Sequence, residues 1–165
     1  MFVRQMKTTM ENDKVIKLGS KIKVGDAVFF NDDNPNMSIV IKVKAGYYVA
    51  WTEEEDFGIF GKRNGKLMAF HNKFLKRLDE GTTDFTWEHI GNFGVDTGMA
   101  AIYTEGTCPI TKDFTDTEDA IVCSSGMGDG YYPVFACVEK KQVVGIMIDF
   151  GLQEDEEEIE KSLAQ

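Results

Sequence analysis

Hydrophobic and polar positions alternate with a period of two over much of this chain, the spacing of strands that turn one face to a core and one to water. In Ser38–Lys44 the residues Ile39, Ile41 and Val43 share one face, while Ser38, Lys42 and Lys44 share the other with Val40. Lys21–Phe30 carries Ile22, Val24, Val28 and Phe30, is interrupted at Gly25-Asp26, and ends in Asn31-Asp32-Asp33-Asn34-Pro35-Asn36, a run of turn formers. After Ala45-Gly46, Tyr47–Trp51 reads as a hairpin return, followed by a charged tip, Glu53–Asp56, and by Phe57-Gly58-Ile59-Phe60. Arg63–Lys66 is the next predicted turn, because Asn64-Gly65 is the strongest short hairpin signal present. Lys66–His71 should then run back as a strand.

The period changes at Asn72–Glu80, where Phe74, Leu75 and Leu78 take helical spacing and Gly81 supplies the stop. Thr83 or Asp84 is placed to cap a second short helix before Trp87 and Ile90. Strands are predicted again from about Val95, then at Met99–Tyr103, Ala120–Cys123 and in a closing hairpin of Val134–Val138 and Val144–Phe150. The first arm of that hairpin is apolar on both faces, which predicts a strand covered on both sides. In the second, Val144, Ile146, Ile148 and Phe150 should face one way. The pattern predicts a mainly β (α+β) chain, an antiparallel β-sandwich or open barrel with one or two short helices. Residues 1–20 read as an N-terminal arm, 21–151 as a single β-rich domain, and 152–165, with Glu154–Glu158, as an acidic C-terminal helix or tail.

Composition fits one filled core: 165 residues, 42% hydrophobic, with twelve Phe. Charge narrows the partners. Asp and Glu number 28 against 18 Lys and Arg, a net charge of -10 and a pI near 4.7. Such a field repels phosphate backbones and anionic membranes, so neither direct nucleic-acid binding nor membrane binding is expected. No apolar run reaches the roughly 20 residues of a bilayer span. Cys108, Cys123 and Cys137 are an odd count without metal-ligand spacing, and no charged-then-apolar leader opens the sequence; a reducing cytoplasm is expected. Cys137 reads as a buried, inert thiol and Cys108 as the more accessible one.

The densest candidate chemistry is the segment Ser124-Ser125-Gly126-Met127-Gly128-Asp129-Gly130-Tyr131 together with Asp96-Thr97-Gly98. Glycines alternating at 126, 128 and 130 lack dinucleotide-loop spacing and lead into a strand where a phosphate loop would need a helix N-terminus. The preferred reading is of tight turns, with Asp96 and Asp129 accepting bonds from their local amides and Pro133 starting an edge or bulged strand. The alternative is a ligand or partner loop built from Asp96, Thr97, Gly98, Ser125, Gly126, Gly128, Asp129, Gly130 and Tyr131. Asp96, Asp129 and Asp149 could then bind a divalent cation or work as an acid/base pair. A nucleophilic site would need Cys123, Ser124 or Ser125 beside His71 or His89, and no local spacing supports it. No catalytic residue, metal site or cofactor is assigned.

Gly94-Val95-Asp96-Thr97-Gly98-Met99-Ala100-Ala101-Ile102-Tyr103, followed by Ser124–Val134 and Ile148-Asp149-Phe150, resembles a group of uncharacterised bacterial and phage proteins. In them Val-Asp-Ser/Thr-Gly precedes Ser-Gly-x-Gly-Asp-Gly-x-Tyr and a closing strand, as in the domain-of-unknown-function family numbered 4241. The resemblance covers the last third to half of the chain and implies a fold and a bacterial or phage origin, with no catalytic role. Near the start, Ala27 stands where a Gly-Asp-Pro segment of some such proteins has proline. Acidic clusters at Glu53–Asp56, Asp113–Asp119 and Glu154–Glu158, with aromatics near several turns, suit protein recognition. The functional expectation is a small acidic binding or regulatory protein acting through protein–protein contacts, extending to an inhibitor of a nucleic-acid-binding protein. The alternative is a small hydrolase or metal-dependent enzyme using the two Asp-Gly loops.

Overall fold

The alternating pattern becomes ten strands in the computed structural model, which describes residues 13–28, 36–81, 85–107 and 119–151. They are β1 (Lys14–Leu18), β2 (Lys21–Asp26), β3 (Ser38–Lys42), β4 (Gly46–Asp56), β5 (Lys62–His71), β6 (Thr86–Val95), β7 (Met99–Thr104), β8 (Ala120–Ser124), β9 (Gly130–Glu139) and β10 (Gln142–Asp149). One short helix, α1 (Leu75–Asp79), follows β5. The six-stranded sheet has the order β1-β4-β5-β10-β9-β6 and the four-stranded sheet the order β3-β2-β7-β8, with every pairing antiparallel. The fold is the mainly β sandwich that the alternation predicts.

Between the sheets lies one core, to which Ile16, Leu18, Ile22, Val24, Tyr48, Leu67, Phe93, Ile102, Tyr132, Ile146, Ile148 and Phe150 contribute fully buried side chains. Each such large apolar group contributes about 1.5–3 kcal/mol relative to exposure. The outer face of the six-stranded sheet is also apolar: Val49, Trp51, Met68, Phe70, Val144 and Met147 meet Leu75 and Leu78 of α1. A five-residue helix is too short to persist alone, so this packing holds it. The sheets are linked at both corners, by Lys14 Nζ donating to Ala120 O (2.9 Å) and by the Gly94 amide donating to Asn36 O.

Several sequence expectations need correction. Residues 14–18, inside the range read as an arm, pair with β4, because Ile16 and Leu18 enter the core. Asn64-Gly65 is not a turn. The chain reverses at Phe57–Gly61, and Gly65 sits at a bulge where Glu53 faces Lys66 and Glu54 faces Asn64. A Cβ on Gly65 would lie 2.6 Å from Cβ of Glu55, so glycine is required there for close approach. The stretch expected to be a second helix around Trp87 and Ile90 is β6, and Thr83 and Asp84 lie outside the described residues. Pro133 lies in an internal strand, just beyond the last β9–β10 pair at Val134, where its missing N–H breaks no ladder to β10. Val144 does not share a face with Ile146: an irregularity between Val143 and Gly145 turns it to the outer cluster.

At the end of the sandwich where β4 begins, His71 is held from both ring nitrogens. Its Nε2 lies 3.2 Å from Ala45 O, and its Nδ1 accepts the Lys73 amide at 3.1 Å. Together these bonds fix the neutral Nε2–H tautomer. Burial pushes its pKa below the usual histidine range, against the Ala45 bond and with help from the Lys44 and Lys73 ammonium groups. The unfolded chain therefore takes up this proton first, near pH 6.5. Stability should fall as pH drops below about 6.5, and His71→Gln should flatten that slope in urea titrations. An unchanged slope would remove His71 from the account.

The β9–β10 reversal is a two-residue turn in which Lys140 (φ 49°) and Lys141 (φ 65°) both take positive φ. Side chains other than those of glycine and asparagine are strained there. Replacing the pair by Asn-Gly should raise stability by about 1 kcal/mol, read as a higher urea midpoint at constant m.

Candidate functional site

The two motif loops meet because a third residue holds one of them in place. Asp26, at the end of β2, is only 1% exposed. Its Oδ2 accepts the amides of Asp96 (2.8 Å) and Thr97 (3.0 Å), and its Oδ1 accepts Thr97 Oγ1 and the Val28 amide, each at 2.9 Å. A buried carboxylate is tolerated when its lone pairs are filled in this way. The preferred sequence reading made Asp96 and Asp129 the amide acceptors of their own turns. The structure gives that task to Asp26 at the 96–98 turn, and the signal was the polar Gly25-Asp26 break in an apolar strand.

The turn then grips the glycine segment. Gly98, at φ 71°, presents its carbonyl to the Ser125 amide at 2.9 Å. Ser125 is fully buried, and its Oγ donates to Gly128 O at 2.6 Å, as does Tyr132 Oη at 2.7 Å. Gly126 and Gly128 take φ of 69° and 90°, whereas Gly130 begins β9 without a positive φ. A Cβ on Gly126 would strike Asn64 O and crowd Phe150 Cβ at 3.1 Å; one on Gly128 would meet open space. Gly126 is therefore more constrained than Gly128.

Asp96, Asp129, Gly130 and Tyr131 line one cleft of about 290 Å³ together with Met37, Gly94 and Val95. Both aspartates are exposed at its mouth. Thr97, Gly98, Ser125, Gly126 and Gly128 lie behind them as scaffold and do not line it. Asp149 is placed elsewhere: opposite Lys66, with Oδ1 accepting the Gly151 amide at 2.9 Å. Among the described residues no group of three or more His, Cys, Asp or Glu could hold a metal ion. His71 bonds Ala45 and Lys73, and His89 Nε2 lies 3.0 Å from Asn92 Oδ1, so neither histidine is hydrogen-bonded to Cys123, Ser124 or Ser125. Cys137 is buried and its thiol pushed up to about 12 by burial; Cys108 lies outside the described residues.

Beside the cleft projects an arm, the far half of the β4–β5 hairpin. Arg63 Nη1 donates to Gly126 O at 3.2 Å and Asn64 Nδ2 donates to Ser124 O and Oγ at 3.1 Å, tying the arm to the glycine segment. Its strands set Glu55 opposite Arg63 and Asp56 opposite Lys62, a charge pairing that supports the arm. The tip is ordered by bonds of its own: Asp56 Oδ1 accepts the Gly58 amide (2.9 Å), and Phe60 O accepts Arg63 Nε (3.1 Å). On that fixed turn Ile59 is 96% and Phe60 55% exposed. Sequence reasoning placed the tip at the acidic run Glu53–Asp56 and gave Phe57–Phe60 no role, whereas Glu53–Asp56 ends β4 and Phe57–Gly61 makes the reversal, so it missed the exposed apolar tip. The acidic runs at 113–118 and 154–158 lie outside the described residues.

No protein-family model, no curated protein and no solved structure matches the chain. No helix among the described residues is long and apolar enough to cross a membrane.

The division between scaffold and surface gives a direct expectation. Asp26→Ala strands four donors and should cost about 3 kcal/mol or more, whereas Asp96→Asn and Asp129→Asn, at exposed carboxylates, should each stay within about 0.5 kcal/mol of the parent. Urea denaturation of the three variants decides it: a mild Asp26 variant, or a costly Asp96 one, would reverse the assignment.

Proposed function

We propose that this protein acts by contact with a protein partner, as a small acidic binding or regulatory protein, and that the β4–β5 arm is its contact element. The observation that carries the reading is the pair Ile59 and Phe60, exposed at the end of a hydrogen-bonded turn. Exposing two large apolar side chains in water forgoes the several kcal/mol that burying them would contribute, and apolar groups on a rigid element make efficient anchors because little entropy is lost on docking. Exposed Glu54, Glu55 and Asp56 follow the same strand to the tip, so the complementary surface is an apolar pocket with a basic rim.

The net charge of -10 extends this reading to an inhibitor that occupies the basic groove of a nucleic-acid-binding protein. The likeness to the family numbered 4241 is part of the same proposal and favours a bacterial or phage source. In this reading the cleft lined by Asp96 and Asp129 offers the partner's cationic side chains a second contact.

A photoreactive phenylalanine analogue placed at position 59 or 60, expressed in the source cell, tests the proposal. The expected result is a discrete adduct with a basic protein, absent when the same probe sits at Lys141 on the opposite end of the sandwich. Equal adduct yields from positions 59 and 141 would sink it.

A further inference from the structure

The surface that the arm calls for, exposed apolar groups beside lysines, is present on this chain. On β1 and β4 the outer face of the six-stranded sheet carries Val15, 61% exposed, and Tyr47, 56% exposed. The pairing places Lys17 directly opposite Tyr47 and Val15 opposite Val49, so all four side chains share that face. Lys73, also exposed, sits in the short 3-10 turn 72–74 that lies against β4. Neither Lys17 nor Lys73 is in an ion pair with a described carboxylate. At the other end of the same strand, exposed Glu54, Glu55 and Asp56 lead to Ile59 and Phe60.

We infer that the arm seats on a second copy of this chain, its tip on the Val15–Tyr47 patch and its acidic strand facing Lys17 and Lys73. β4 spans eleven residues, roughly 36 Å at 3.3 Å per residue, with the patch at its start and the arm at its end. A two-fold axis between the copies makes the contact isologous, each tip on the other's patch. The complementarity is of charge as well as of apolar surface. Along β4 the alternation puts Glu55 on the face of Tyr47 and Lys17, while Glu54, opposite Asn64, and Asp56 face the other way; with Arg63 turned to Phe60 O and Gly126 O, Glu55 is the arm's charge on that face. The overall charge of -10 opposes any self-contact, so the pairing must come from this local match of acid to lysine and of apolar to apolar.

The inference rests on the reading of the arm as a contact element, and the two can fail separately: self-association is read on the pure protein, the hetero-adduct in cells. Sedimentation equilibrium of the full chain should show a reversible monomer–dimer equilibrium. The double variant Ile59→Asp, Phe60→Asp and the single variant Tyr47→Asp, all at exposed positions, should each weaken association at least about tenfold while circular dichroism and thermal midpoint stay near the parent's. Lys17→Glu with Lys73→Glu should weaken it more than Lys23→Glu with Lys42→Glu, a pair that changes net charge equally but lies on the four-stranded sheet. A chain that stays monomeric at all accessible concentrations overturns the inference and leaves the arm reading to the cross-linking result. A dimer lost in the arm variant but kept in the Tyr47 variant also overturns it, since the arm would then meet some other surface. Equal losses from the two lysine pairs would do the same, by reducing the effect to net charge.

Discussion

The organisation of this end of the sandwich depends on one carboxylate. Asp26 is the point at which an apolar strand admits a charge, and that charge is tolerated because four donors surround it, three of them from residues seventy positions later in the chain. From there the constraint runs outward in single hydrogen-bonded steps. The 96–98 turn is fixed, so Gly98 O is in place for the Ser125 amide; Ser125 and Tyr132 then converge on Gly128 O; Gly126 O and Ser124 receive Arg63 and Asn64 of the arm. Buried polar groups in such a series are costly to leave unmatched, so each link specifies the position of the next. The cleft and the arm are both built on elements that this series connects.

How much of this was legible in the sequence follows from which forces are local. Period-two alternation is a property of neighbouring residues, and it located the strands because burial of one face dominates their energetics. Asn64-Gly65 misled for the opposite reason. An Asn-Gly pair reports tolerance of positive φ and absence of a Cβ, and here only the second property is used: the backbone of Gly65 must pass close to Glu55 at a bulge, while the reversal is made by Gly58 and Gly61 with positive φ. The face of Val144 was lost in the same way, since one extra residue in a strand inverts every side chain before it and leaves no mark in composition.

At the 96–98 turn, the sequence pointed to the right loop and to the wrong acceptor. Asp96, like Asp129, carries the local signature of a turn residue that bonds its own amides. Whether it does so depends on what else reaches those amides, and Asp26 arrives from another strand, a contact with no footprint at short range. The exposed tip shows a second limit. Phe57-Gly58-Ile59-Phe60 has the composition of a buried strand, and composition cannot distinguish an apolar residue that enters a core from one carried past its edge. What carries Ile59 and Phe60 past the edge is the length of the hairpin relative to its neighbours: β1 stops pairing with β4 at Ala50 and β10 stops pairing with β5 at Lys66.

That excess length is also why the arm needs its tethers. A two-stranded ribbon without a sheet around it is marginally stable in water, and here it is supported by opposite charges in register and by two side chains anchored to the glycine segment. An arm supported only by its own turn would sample many orientations, and docking it would cost the entropy of fixing them. Bound to a rim that Asp26 has already fixed, it holds its tip in one orientation. The strained glycines, the buried Ser125 and the paired charges thus have one mechanical consequence, which is to hold two apolar side chains in water at a defined place.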